Sequence, residues 1–196
     1  KFHAGATIYY MRYKDQLVLT GMINDVGAYT RINVPNSYRT GIELQGGYVF
    51  TNWLNAVANL SFSRNKVKSF TEYLDNYDAN WEWTGQVAVE HKKTDIAFSP
   101  SVVGAATVNI LPVKNLEISL LAKYVGSQYL DNTQNEARKL NAFYTQDARV
   151  ILTLKNKLFK EWNIIGQVNN LFNKKYEPNG YAYSYVLDGA TIADNY

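Results

Sequence analysis

The sequence predicts an all-β chain, a transmembrane antiparallel β-barrel fragment of about seven strands. Three observations lead there. Seven segments alternate apolar and polar residues with period two, over lengths close to the roughly 9 to 11 residues of a tilted membrane-crossing strand. Their connections alternate between short and long. Aromatic residues gather where the segments end.

In chain order, the first segment runs from Phe2 to Leu19 and leads into a long loop over 20–38. The second sets Ile42, Leu44, Tyr48 and Phe50 against Glu43, Gln45 and Gly47, and turns at Thr51-Asn52. The third sets Leu54, Ala56, Ala58, Leu60 and Phe62 against Asn55, Asn59, Ser61 and Ser63, before a loop over 64–98. The fourth, Ser99 to Leu111, turns at Pro112 to Asn115. The fifth is the clearest: Leu116, Ile118, Leu120, Ala122 and Tyr124 on one parity, Glu117, Ser119, Leu121 and Lys123 on the other.

A third long loop covers 126–141. The sixth segment follows with Tyr144, Ala148, Val150, Leu152 and Leu154 opposite Thr145, Asp147, Arg149 and Thr153, and turns over 155–161. The seventh is Trp162 to Phe172, and everything after Asn173 reads as a fourth long loop. Short turns on one rim and long loops on the other is the layout of bacterial outer-membrane barrels. Tyr48, Phe50, Trp53, Phe159 and Trp162 at the short turns, with Tyr124 and Tyr144 at the far end, stand where two interfacial girdles belong.

Composition narrows the function. Apolar residues make up 46% of the chain, yet no run approaches the roughly 18 needed for a membrane helix. There is no cysteine, which removes thiolate metal sites and cysteine nucleophiles. The net charge of +3 is spread without a basic stripe, so nucleic acid is not an expected partner. His3 and His91 have no ligand partner at a metal-binding spacing, and both are expected to be solvated. Asp75, Asn76, Asp78 and Asn80 offer oxygens suited to a hard cation but lack the loop Gly and distal Glu of an EF-hand. Catalytic residues, cofactors and a metal site are therefore not expected. Glu117 and Asp147 alternate with Lys123 and Arg149, the makings of a lumenal ion-pair network.

The phrase Val168-Asn169-Asn170-Leu171-Phe172-Asn173-Lys174-Lys175-Tyr176 resembles the penultimate strand of TonB-dependent outer-membrane receptors. Tyr9 to Leu17, Tyr38 to Leu44 and Leu121 to Gly126 also look like that family. The resemblance implies that residues 1–196 are the C-terminal part of a barrel of about 22 strands, lacking its plug domain and terminal strand. Two readings of the residues agree with a fragment. Lys1-Phe2-His3 enters a strand with no leader before it, and an even strand number leaves one strand missing after Tyr196.

The function implied is import of a scarce solute across the Gram-negative outer membrane. An iron-siderophore complex is the commonest cargo, with haem, cobalamin, oligosaccharide or peptide as alternatives. Expected partners are the outer-membrane bilayer, the protein's own plug domain, TonB acting through the plug, and a small solute or metal chelate. A passive porin or a soluble all-β binding module are the competing readings. Ligand contacts are expected on the long loops, at Tyr73, Tyr77, Trp81 and Trp83 and at Tyr129, Asn132, Asn135 and Arg138. Aromatic and Arg side chains are the types that most often anchor binding, and on an exposed loop they lack a packing role.

Overall fold

The computed structural model describes residues 1–158 and 160–195. Phe159, placed in a girdle by its sequence position, lies outside the described residues. The strands are β1 (Phe2–Ile23), β2 (Tyr29–Thr51), β3 (Leu54–Tyr77), β4 (Trp83–Asp95), β5 (Val102–Val113), β6 (Leu116–Val125), β7 (Gln128–Tyr129), β8 (Lys139–Leu140), β9 (Phe143–Leu154), β10 (Trp162–Val168), β11 (Ala182–Leu187) and β12 (Ala190–Asn195). Seven of them pair as neighbours in the order β1-β2-β3-β5-β6-β9-β10, one for each alternating segment. Every junction along this path is antiparallel, and the sheet is open at β1 and β10.

Register explains why alternation within each strand yields two continuous faces. One cross-strand row runs Ala6, Leu44, Leu60, Gly104, Tyr124, Tyr144. Others run Val108, Leu120, Ala148, Val168 and Ile110, Ile118, Val150, Gly166. The opposite parity carries the row Asn55, Asn109, Ser119, Arg149, Gln167. There Asn109 Nδ2 donates to Asn55 Oδ1 at 2.9 Å, and the Ser119 hydroxyl lies 2.8 Å from Asn109 Oδ1 and 3.1 Å from Glu117 Oε1. Ser119 is fully buried, whereas Ile42, Leu44, Leu60, Phe62, Leu120 and Val150 are exposed. This inverts the ordinary rule for a water-soluble sheet, as expected where lipid is the apolar solvent.

The segments expected as irregular loops over 20–38 and 64–98 are largely strand. β1, β2 and β3 span 22, 23 and 24 residues, roughly 75 Å of chain at strand rise, and β4 pairs with the upper part of β3. The physical reason is that pairing satisfies the backbone with or without lipid beside it. The apolar alternation stops at the girdle, and the hydrogen-bond ladder does not. The fourth loop likewise contains the β11–β12 hairpin, whose first strand adds in parallel to β3 through Tyr185, Val186 and Leu187. β10 ends at Val168, four residues earlier than Phe172.

The Asn-Leu-Phe-Asn phrase beyond β10 is a stapled turn. Asn170 and Asn173 take positive φ values, of 51° and 49°. Asn170 Oδ1 accepts from Lys174 N at 2.8 Å and its Nδ2 donates to Lys174 O at 3.0 Å. Asn170 N donates to Asp147 Oδ1 at 2.7 Å, and Leu171 N to Gln146 O at 2.6 Å, which pins the turn to β9. Tyr176 then stacks on Phe143 at 4.2 Å between centroids. The phrase holds the wall. It also uses Asp147, which the sequence suggested for an ion-pair network.

Close approach explains Gly41. It faces Tyr9 across the β1–β2 ladder, and a Cβ there would sit 2.5 Å from the Phe62 carbonyl oxygen and 2.6 Å from Tyr9 Oη. Gly41→Val is expected to cost about 1–3 kcal/mol by overpacking, read as a lower heat-unfolding temperature of the full-length protein. Gly46→Ala, whose nearest neighbour would be 3.4 Å away, is expected to leave that temperature unchanged.

Candidate functional site

The two faces of the sheet, prolonged beyond the girdle, create a recess on the polar side and an ordered layer above it. The recess has a volume near 500 Å³ and is lined by Tyr9, Met11, Gln16, Arg39, Glu43 and Asn65, with Phe98 and Ser99 at its roof. Strand alternation places Tyr9, Met11, Arg39, Glu43 and Asn65 on the parity opposite the apolar rows. Arg39 Nη1 donates to Asn65 Oδ1 at 3.2 Å and lies 3.3 Å from Ser99 Oγ, while Ser99 Oγ donates to the Ala97 carbonyl at 3.1 Å. These bonds orient a guanidinium toward the recess, where it would recognise an anionic or oxygen-rich solute. None of these residues was singled out as a ligand contact from the sequence. Polar parity in a strand is the signal that could have found them.

The overlying layer has its own small cores. Val18, Val34, Val67 and Ile96 form one, with Phe70 packed against it, and Leu130, Leu140 and Ala182 form another, beside Phe98. Between β3, β4 and the 126–141 loop lies a charged cluster. Arg138 Nη1 is 2.5 Å from Asp131 Oδ2 and 3.7 Å from Glu72 Oε1, and Glu72 Oε2 is 2.8 Å from His91 Nε2. His91 also stacks on Phe70 at 4.9 Å. His91, expected to be solvated, is thus a packing residue that shares a hydrogen bond with Glu72, and the ring of His3 occupies the space beside Gly47.

The eight sequence-predicted ligand contacts separate into two groups. Arg138 and Asn132 are buried, at 4% and 2% exposure. Asn132 donates to the Leu19 carbonyl at 2.6 Å and accepts from Ala97 N at 2.9 Å, tying the third loop to β1 and to the 96–100 segment. Asn135 is exposed, but its side chain caps the short 3-10 helical turn Glu136–Arg138 by accepting from Ala137 N at 2.9 Å. Tyr129 donates to Glu136 Oε1 at 2.5 Å, and Lys139 Nζ sits 5.5 Å over its ring. The bond to Glu136, first of all, raises the Tyr129 hydroxyl pKa, and the bond from Tyr129 is the main cause that lowers Glu136.

Tyr73, Trp81 and Trp83 remain 63%, 60% and 62% exposed. Tyr73 and Trp83 lie on β3 and β4 rather than on a loop, and Trp81 occupies the tip of that hairpin with φ of 66°. Tyr77 meets Trp81 and Tyr185 with centroids 6.3 and 6.2 Å away, and Trp81 meets Tyr185 at 5.8 Å. Asp75 Oδ1 accepts from Trp83 Nε1 at 3.3 Å and from Gln86 Nε2 at 3.1 Å, and Asp78 Oδ1 accepts from Asn80 N and Glu82 N. The carboxylates that suggested a cation loop thus fasten the hairpin. Among the described residues, no group of three or more His, Cys, Asp or Glu side chains is gathered as metal ligands.

The family described as TonB dependent receptor-like, beta-barrel, matches residues 1–171. No curated protein sequence matches the chain. Among solved structures, it is similar to the siderophore receptor PiuA from Acinetobacter baumannii (TM-score 0.60, 16% identity, 99% of this chain, 24% of that one). It is also similar to the ferric yersiniabactin uptake receptor FyuA from Yersinia pestis (0.55, 18%, 100% and 26%), and to the FrpB iron transporter from Neisseria meningitidis (0.53, 20%, 89% and 25%). The chain spans about a quarter of the length of these receptors. With this match over most of its length and an antiparallel two-faced wall, the chain belongs to the TonB-dependent receptor family, as a part of its β-barrel.

Proposed function

We propose that this chain is a wall-and-loop sector of an outer-membrane importer, with its apolar rows toward lipid and its polar rows toward a lumen. The observation that carries the reading is the recess around Arg39. It lies on the polar face, directly under an ordered layer whose outermost hairpin presents Tyr73, Trp81 and Trp83 to solvent. A solute would meet the aromatic tips first and then the guanidinium and amides below. Tyr129 and Asn135 are secondary candidates for contact, and Asn132 and Arg138 act by holding the loop that bears them.

Iron-siderophore complexes are the favoured cargo. The receptors of similar fold include siderophore and iron receptors, and a chelate rich in oxygen donors suits Arg39, Asn65 and the aromatic tips. A plug domain and TonB would supply gating and energy. No enzymatic step is assigned to the chain.

Deleting residues 73–83 from the full-length receptor is expected to abolish uptake of the iron chelate while the protein keeps its heat-modifiable gel migration. The deletion also removes the β3 residues that pair with β11, so Trp81→Ala combined with Trp83→Ala serves as the milder test, with at least about a tenfold rise in the half-saturating chelate concentration. Unchanged uptake at limiting chelate in both variants would refute this role.

A further inference from the structure

The recess around Arg39 has two poles of opposite charge. Arg39, Gly41 and Glu43 share the polar parity of β2 and pair with Met11, Tyr9 and Thr7 of β1, and Arg39, Glu43 and Tyr9 all line the recess. Four residues of strand separate Arg39 from Glu43, roughly 13 Å between Cα atoms. The floor between them is low. Gly41 has no side chain, and the Tyr9 ring lies across it, with Oη 2.6 Å from where a Cβ would stand. The lining also includes the apolar side chains of Met11, Phe98, Pro100 and Val103.

Each pole keeps unused bonding capacity. Both hydrogens of Arg39 Nη1 are committed, one to Asn65 Oδ1 at 3.2 Å and one to Ser99 Oγ at 3.3 Å. The two acceptors are fixed in that role: Asn65 Nδ2 donates to Ser63 Oγ at 2.9 Å, Ser63 Oγ to the Pro100 carbonyl at 3.2 Å, and Ser99 Oγ to the Ala97 carbonyl at 3.1 Å. Nε and Nη2 have no partner among the described residues, and they form an edge of the guanidinium that takes a carboxylate through two parallel bonds. Glu43 is exposed and has neither an ion pair nor a side-chain hydrogen bond among the described residues. An ionised carboxylate only accepts, so a protonated amine is its natural complement.

We propose that the recess selects a zwitterionic iron chelate, with a free carboxylate on Arg39, a protonated amine on Glu43 and the body of the chelate over Tyr9. The inference rests on the reading of this recess as the solute site. A solute with negative charge at both ends would gain at Arg39 and be repelled at Glu43, and a doubly cationic one the reverse, so the pair discriminates in both directions. β2 descends from the outer loops to the short turn before β3, which places Glu43 below Arg39 and brings the solute in amine first.

The test uses the full-length receptor in detergent and a linear trihydroxamate chelate of ferric iron, whose metal centre is neutral, so that charge resides only at the chain ends. Its forms with carboxylate and amine both free, with the amine acetylated, with the carboxylate amidated and with both ends capped are compared by quenching of the receptor's tryptophan fluorescence. Wild type is expected to bind the zwitterion at least about tenfold more tightly than either singly capped form. Arg39→Gln is expected to erase the difference between carboxylate and amide while keeping that between amine and acetamide, and Glu43→Gln to do the converse. Heat-modifiable migration of each variant separates loss of binding from loss of fold. Equal binding of every form by wild type, variants that keep the full charge preference, or variants that weaken every form alike would overturn the dipolar site and leave the importer reading standing. Binding of no form by a folded wild-type receptor would instead overturn the chelate reading of the recess, and the inference with it.

Discussion

Replacing Arg138 by Met is expected to loosen the layer over the recess by about 3–5 kcal/mol while leaving the barrel wall folded. Arg138 and Asp131 have side chains only 5% exposed and lie 2.5 Å apart. Asp131 Oδ1 is further engaged by Thr133 N at 2.9 Å and Thr133 Oγ1 at 2.7 Å. Removing the guanidinium would strand Asp131 in a site closed to water, and would take from Glu72 the cation that lies 3.7 Å away. The cost comes from the carboxylate left behind more than from the bond lost. Arg138→Met combined with Asp131→Leu is therefore expected to recover part of the loss. Hydrogen exchange of the full-length receptor reads both outcomes. Protection should collapse over 126–141 and 96–100 in the single variant and persist in β5, β6 and β9. Equal protection throughout in Arg138→Met would show that the pair contributes nothing to the layer.

Leu120→Arg is expected to impair insertion by about 2–4 kcal/mol, the cost of a cation near the bilayer midplane. Leu120 stands four residues along β6 from Tyr124 at one girdle and four from Leu116 near the other, and its row neighbours are Val108 and Ala148. Leu152→Arg is expected to cost less, because Leu152 pairs with Leu116 and Ile164 only one rung from the Leu154–Trp162 rim, and the penalty falls toward the interface. Lys123→Gln, on the polar face, is expected to be neutral. Heat-modifiable migration after refolding into lipid ranks the three, and equal folding of all would count against the face assignment.

Residues 116–124 show how much of the wall was legible: period two in the sequence, broken only by Leu121, became one apolar and one mostly polar face of the sheet. The three short turns were legible from the same pattern, because one residue of slip would send every apolar side chain to the wet face. The upper halves of β1 to β4 were not. Above the girdle both faces meet water or other loops, so Arg31, Asn33 and Lys68 break the pattern while the ladder continues. Of the candidate site, exposure was legible at some positions and not at others. Composition located exposed aromatics at Tyr73, Trp81 and Trp83. It also put forward Asn132 and Arg138, whose burial depends on Leu19, Ala97, Asp131 and Glu72, partners drawn from across the chain. Arg39 escaped notice because a single charge on a strand's polar parity looks like any other.

The central claim is that alternate residues of one strand face lipid and lumen. Nitroxide side chains placed singly from Leu116 to Tyr124 in the full-length receptor, reconstituted in bilayers, test it most directly through their relative accessibility to dissolved oxygen and to a water-soluble nickel chelate. The account predicts that oxygen accessibility peaks at 116, 118, 120 and 122 and chelate accessibility at 117, 121 and 123, out of phase with period two. Uniform accessibility along the strand, or apolar positions closed to both reagents, would contradict it.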